Sequence, residues 1–265
     1  MDRDQQTADE FLRLVRIMRK LRGEGGCPWD KEQTHQTLRP YLIEEAYEVL
    51  EAIDENNMNK LKEELGDLLL QIVFHAQIAM EEKNFELKEI IMTIADKLER
   101  RHPHVFGNTM VNSVESVLTN WEKIKSAEKP GERSSILDGI PRDLPALQYA
   151  EKIQSKAAKV GFEWADVNGA WRKVHEEADE LRKISAEKNA DISKVEEEVG
   201  DLLFAVVNVA RFLKVHPEQA LRKTINKFNR RFRFIEETAK KTGKNLALMD
   251  LMEMDELWEK AKALE

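Results

Sequence analysis

Apolar positions along this chain recur at spacings of three and four rather than two. Leu42, Ala46, Val49, Leu50 and Ile53 form one such stripe, and Leu61, Leu65, Leu68, Leu69 and Ile72 form the next. That is the period of one helix face, and no stretch alternates over strand lengths. The polar segment DENNMN at 54–59 separates the two stripes. The pattern therefore predicts two helices folded back as an antiparallel hairpin. A second hairpin is predicted around KNADIS at 188–193.

The second hairpin rewrites the first. YLIEEAYEVLEAI around residue 45 is echoed by KVHEEADELRKI around residue 177, and KEELGDLLLQIVFHAQIA (62–79) by EEEVGDLLFAVVNVARFL (196–213). DKLERRHPHVF (96–106) returns as NKFNRRFRFIE (226–236), and NWEKIK (120–125) as LWEKAK (257–262). The blocks keep their order, which chance does not supply even in a chain rich in Glu and Lys. Between the copies, SAEKPGERSSILDGIPRDLP at 126–145 carries three prolines and two glycines and reads as a linker. The expected architecture is all-α, a tandem of two helical modules at 1–125 and 146–265.

Within each hairpin the carboxylates have matched heights. Glu45 and Glu48 are three apart on one helix, and Glu64 and Asp67 are three apart on the next. Glu48 lies level with Glu64, and Glu45 with Asp67, about a midpoint at Asn56 in the predicted turn. In the second copy Glu180 lies level with Glu198, and Glu177 with Asp201, about Asn189. Carboxylates held this close repel unless a cation sits among them. All-oxygen ligation suits Mg²⁺, with Mn²⁺ as a substitute. A di-iron carboxylate site is the alternative, but it calls for Glu-x-x-His pairs, and neither Asp67 nor Asp201 is replaced by His. Solvated glutamates are the plain reading of one EExxE, though not of a matched set written twice. A glycine, Gly66 or Gly200, precedes the last aspartate of each set, which implies a close approach of helix or ligand there.

Composition narrows the class. The net charge of −8 argues against a nucleic-acid polymer as partner, and the one cysteine, Cys27, leaves no internal disulfide. The longest apolar run, Leu68 to Met80, is too short and too interrupted for a membrane span. No secretory signal is visible at the N-terminus, so a cytoplasmic location without membrane attachment is expected.

Basic and aromatic residues recur as well. Lys97 and Arg101 share a helix face, as do Lys227 and Arg231; Trp121 with Lys125 recurs as Trp258 with Lys262. Beside a divalent-cation site, these describe a pocket for a nucleoside polyphosphate, with cations on phosphate oxygens and the indole stacking on a base. The competing reading makes KxxRR a solvated face and the tryptophans core. Trp29 and Trp164 are expected to pack. His102 and His104 have no counterpart in the second copy, where Phe232 and Arg233 follow the arginines.

Taken together, these blocks resemble the MazG family of all-α nucleoside triphosphate pyrophosphohydrolases. The signature is EExxE, a gap, then ExxD. It stands as Glu44-Glu45-x-x-Glu48 with Glu64-x-x-Asp67, and as Glu176-Glu177-x-x-Glu180 with Glu198-x-x-Asp201. The CPWD turn, the RRHPHVF segment and the ILDGIPRDLPAL connection extend the resemblance over almost the whole chain, to the two-module bacterial members. It implies Mg²⁺-dependent cleavage of NTPs or dNTPs between the α and β phosphates, by water attack at the α-phosphorus, and helical homodimers. It makes Glu45, Glu48, Glu64, Asp67, Glu177, Glu180, Glu198 and Asp201 metal ligands, with Glu44 and Glu176 beside them, orienting water or supporting the ligands. Against this enzyme stands a helical binding protein whose carboxylates hold ions without turnover, or a chain with one active module and one supporting module. Base and sugar preference and protein partners are not written in the spacing.

Overall fold

The computed structural model describes residues 2–128 and 134–265, and every regular element among them is helical. Residues 129–133, part of the linker expected at 126–145, lie outside the described residues. The chain divides into two compact units, one ending at Glu128 and one following it. The first holds α1 (Arg3–Arg22), α2 (Pro28–Glu32), α3 (Arg39–Asp54), α4 (Met58–Glu81), α5 (Leu87–Arg101), α6 (Pro103–Phe106) and α7 (Val114–Ala127). The second holds α8 (Ala146–Ala158), α9 (Val167–Ser185), α10 (Ile192–Phe212), α11 (Pro217–Lys241), a 3₁₀ turn (Leu246–Leu248) and α12 (Leu251–Ala263).

The centre of each unit is the antiparallel pair expected from the sequence, α3 with α4 and α9 with α10. In the first, the chain reverses over 55–57, and Asn56 takes a left-handed φ of 52°, which asparagine tolerates better than most residues. Asn57 then caps α4 by accepting from the Lys60 amide at 3.1 Å. This cap starts the helix at Met58, inside the segment the polar pattern assigned to the break. Lys60 Nζ reaches back to Glu51 at 2.6 Å and Glu55 at 3.3 Å, tying the helices across the turn. The second turn is longer, 186–191, and Asp191 caps α10 through the Ser193 amide at 3.1 Å.

The core of the first unit is not on the hairpin's own apolar stripe. Met18, Leu38, Val73, Phe74 and Ile78 are buried together, with Phe11, Leu14, Val15, Leu70 and Leu87 packed around them. These residues seat α1 on the C-terminal half of α4. Arg22 fixes the joint: its guanidinium takes Glu81 at 2.7–3.1 Å and the Gln33 carbonyl at 3.1 Å. In the second unit α8 takes the equivalent place against α10, where Gln154 donates to the Phe204 carbonyl at 2.8 Å.

Much of the stripe that announced the hairpin stays uncovered. Ile53 is 51% exposed and Leu65 49%; Leu50, Leu69 and Ile72 are also exposed, as are Val199, Leu203 and Val206 in the second unit. Gly66 and Gly200 have open space where a Cβ would stand. The close helix approach implied by these glycines is therefore absent within either unit.

Candidate functional site

Hairpin register brings the predicted carboxylates together. In the first unit Glu45 and Glu48 of α3 and Glu64 of α4 offer oxygens within 4.8 Å of one another. Asp67 lies outside that group but acts on it, raising the pKa of both Glu45 and Glu64. In the second unit two triads share one residue: Glu176, Glu177 and Glu180 on α9, and Glu177 with Glu198 and Asp201 of α10, each within the same limit. Glu44 and Glu176 sit exposed at the edge of their clusters.

Charge crowding is visible in the titration of these groups. Partial burial first, then the charges of Asp67, Glu48 and Glu64, push Glu45 above the usual carboxylate range. Glu64 is pushed up by desolvation, then by Glu48, Glu63 and Asp67, against a weaker opposing pull from Lys60. Desolvation followed by Glu180, Glu177 and Asp201 does the same to Glu198. Glu198 Oε2 is moreover buried without a hydrogen-bond partner among the described residues. A buried carboxylate oxygen with nothing to accept from is costly unless a cation or its water supplies the partner. All-oxygen donors, mutual repulsion and an orphaned oxygen fit a hard divalent ion.

One group here was overlooked in the sequence. Lys173 Nζ lies 2.5 Å from Glu177 and 2.9 Å from Glu176, and Glu177 is only 4% exposed. Both carboxylates raise the lysine's pKa, Glu177 most. The signal was available: Lys173 stands four residues before Glu177 and three before Glu176, the spacings that face each other on a helix. The first copy has Tyr41 at this place.

The basic and aromatic residues form a second cluster, repeated in both units. Arg101 lies over the Trp121 ring at 5.3 Å, and Arg231 over Trp258 at 5.4 Å. His102 meets Trp121 edge-on at 4.9 Å, and Phe228 packs against Trp258 at 5.1 Å. Both arginines are paired with a glutamate that sequence reading missed, Glu128 and Glu265. Each stands seven residues beyond its tryptophan, so extending the repeat would have found them. The expected tryptophan–lysine pairs run outward: Lys125 and Lys262 are exposed, and Lys262 lies 3.3 Å from Glu259. Lys97 and Lys227 are half-buried, and Lys97 lines an open cleft with Phe85, Glu89, Ile90, Thr93 and Ile94.

Lys97 and Arg101 stand on α5, which packs on α4, and Lys227 and Arg231 on α11, which packs on α10; the tryptophans stand one helix further out. Among the described residues α7 packs on α5 and not on α3 or α4, and α12 packs on α11 and not on α9 or α10. Trp121, Lys125, Trp258 and Lys262 are therefore held away from the carboxylates of their own hairpin. Trp29 and Trp164, expected to pack, are about half exposed, Trp29 meeting Tyr41 edge-on and Trp164 lying against Gly169. A further pair lay outside the sequence reading: His35 Nδ1 and His75 Nδ1 are 2.7 Å apart with their rings stacked. Among the described residues no helix is long and apolar enough to cross a membrane.

Comparison with known proteins places this geometry in a family. A family model described as the MazG nucleotide pyrophosphohydrolase domain matches residues 33–106 and again residues 169–234, so each match spans one carboxylate hairpin. The nucleoside triphosphate pyrophosphohydrolase/pyrophosphatase MazG of Thermotoga maritima is 50% identical over 252 residues, 95% of each chain. The nucleoside triphosphate pyrophosphohydrolase of Escherichia coli K12 is 48% identical over 259 residues, 97% of this chain and 98% of its own. Among solved structures, a mazG-related protein from Thermotoga maritima is 31% identical over 43% of this chain and 97% of its own, with a TM-score of 0.38.

Proposed function

The chain belongs to the MazG nucleotide pyrophosphohydrolase family, and we propose that it hydrolyses NTPs or dNTPs to a nucleoside monophosphate and pyrophosphate, with Mg²⁺ held by its carboxylate clusters. It is an enzyme, a nucleoside triphosphate pyrophosphohydrolase. The observation that carries the metal reading is the twice-built carboxylate cluster, with the partnerless Glu198 Oε2 inside it.

Glu45, Glu48, Glu64 and Asp67 would hold the ion in the first unit, and Glu177, Glu180, Glu198 and Asp201 in the second. When bound, such an ion neutralises polyphosphate charge and makes the phosphorus easier to attack. Mn²⁺ would serve in its place. Glu44 and Glu176, exposed beside the clusters, orient the water that attacks the α-phosphorus and receive its proton. Lys97 with Arg101, and Lys227 with Arg231, neutralise the departing pyrophosphate, while Lys125 and Lys262 extend that positive edge. Trp121 and Trp258 offer an indole to the base on the face not covered by arginine.

Two features favour a homodimer as the working form. The uncovered apolar stripes of the hairpins and the open faces at Gly66 and Gly200 are surfaces that a second copy would cover. Trp121 and Trp258, on helices that do not pack on the carboxylate hairpin of their own unit, would need such packing to face it. A cytoplasmic location, where nucleotide pools lie, belongs to the same proposal.

The experiment is product analysis over eight NTPs and dNTPs with Mg²⁺ and with EDTA. Monophosphate and pyrophosphate in equal amounts, with Mg²⁺ only, is the expected result. Release of single phosphate would place cleavage at the wrong bond. Folded protein without turnover on any substrate would favour the ion-binding alternative.

A further inference from the structure

The Arg–Trp–Glu arrangement is the same in two copies whose surroundings have diverged. In the first unit the Glu128 carboxylate accepts from Arg101 Nε at 3.1 Å and from Arg101 Nη2. In the second, Glu265 accepts from Arg231 Nε at 3.1 Å and Nη2 at 2.5 Å. The same edge of the guanidinium is engaged each time. The indole covers its face, and Nη1 meets no protein partner among the described residues. The neighbouring arginine also joins, from a more exposed position: Arg100 reaches Glu128 at 2.9–3.0 Å and Arg230 reaches Glu265 at 3.4 Å, with 53% and 65% of their side chains exposed. Arg101 and Arg231 are only 14% and 13% exposed.

Around this constant trio the sequence changes. The ring flanking the indole is His102 in one copy and Phe228 in the other, and the residues before the glutamate are Ser126-Ala127 and Ala263-Leu264. A carboxylate on the Nε–Nη2 edge and an aromatic face together remove the rotamer freedom of a long side chain. A guanidinium held this way presents its remaining edge without having to be ordered by substrate, which lowers the entropic cost of binding.

We propose that Glu128 and Glu265 are positioning residues that clamp Arg101 and Arg231 against the indole, leaving the Nη1 edge for a substrate phosphate oxygen. The assignment rests on the reading of these arginines as phosphate-binding groups. The glutamates themselves touch no substrate; they act through the arginine.

The test is steady-state kinetics with ATP on the full chain, for Glu128→Ala, Glu265→Ala, Arg101→Ala, Arg231→Ala and the two Glu/Arg double variants, with thermal melts alongside. In the unit that turns over, the glutamate variant is expected to raise KM about tenfold with kcat changed by less than about threefold, a loss of binding rather than of chemistry. Added to the arginine variant, the same substitution is expected to change KM no further. The conservative Glu265→Asp and Glu128→Asp variants should recover part of the lost affinity. If both arginine variants keep the parent KM, the phosphate reading fails and the clamp with it. If an arginine variant raises KM but the glutamate variants do not, or raise it equally with the arginine absent, the arginine binds phosphate unaided and the positioning role is overturned.

Discussion

The two units repeat one hairpin and one set of carboxylates, but they balance the charge differently. In the first, Glu45, Glu48 and Glu64 face one another with Tyr41 where a cation would stand, and Glu45 and Glu64 are both pushed toward the protonated form. In the second, Lys173 lies against Glu176 and the buried Glu177, so that side of the cluster carries its own counter-charge. The other side does not: Glu198 is still raised, and its Oε2 has no partner. A repeated motif thus preserves the groups that would bind an ion while the protein's own compensation varies. In the first unit the one opposing charge is the weak pull of Lys60 on Glu64, whereas in the second Lys173 pairs directly with two of the carboxylates.

Removing the carboxylates gives the largest expected effect. Glu64→Gln with Glu198→Gln in one chain should lower pyrophosphate release by roughly 10²-fold or more, since the reaction depends on charge neutralisation at the phosphates. The single variants, assayed the same way, divide turnover between the units and show whether Lys173 accompanies the more active one.

The internal counter-charge can be deleted next. Lys173→Met leaves Glu177 buried without its partner and should destabilise the second unit. The full penalty of a broken buried pair is reduced here by the lysine's 41% exposure, to about 1 kcal/mol. A melt in EDTA would show the loss, and divalent ion should restore more of it than in the parent. Tyr41→Lys is the reverse experiment, and it should weaken the dependence of the first unit on added ion.

Gly66→Ala and Gly200→Ala probe the open faces. Each Cβ would enter free space, so helix propensity alone predicts a gain of up to about 1 kcal/mol. A fall in stability or activity, read by melts and turnover at several protein concentrations, would mean that a second copy or a substrate occupies that space.

The smallest effect is on pH dependence. Glu45, Glu64 and Glu198 have folded-state pKa values above 4.5, so the folded state holds more protons than the unfolded one just above that pH. Their contribution to stability therefore falls as pH rises through that window. Glu128 has the opposite sign: its arginine contacts hold its pKa at about 2, so its contribution is full above 4.5 and is lost as pH falls toward 2. Mg²⁺ should raise the melting temperature more at pH 7.5 than at pH 4.5, where protons already relieve the crowding.

Much of the hairpin was legible in the sequence because its geometry is local. Helical period, a polar break and matched heights about Asn56 and Asn189 suffice to bring Glu48 near Glu64 and Glu177 near Asp201. The turn boundaries shifted by the reach of Asn57 as a cap, which composition alone does not fix. The core was not legible. Met18 and Phe11 on α1 close over α4, and nothing in the spacing of the α3 and α4 stripes says that another helix covers the far end of α4 while Ile53 and Leu65 stay open. Periodicity identifies a face; it does not say what covers it. The basic cluster mixes the two cases: Arg101 and Trp121 recur visibly, but their union with Glu128 depends on how α7 folds back onto α5.

The central claim, that each carboxylate hairpin is a divalent-cation site, is tested most directly by Mn²⁺ titration of the metal-free chain, followed by electron paramagnetic resonance of the free ion. The parent chain should bind Mn²⁺ in both units, Glu64→Gln and Glu198→Gln should each remove one set of sites, and the double variant should remove both. A correctly folded double variant that binds Mn²⁺ as tightly and in the same amount as the parent would contradict it.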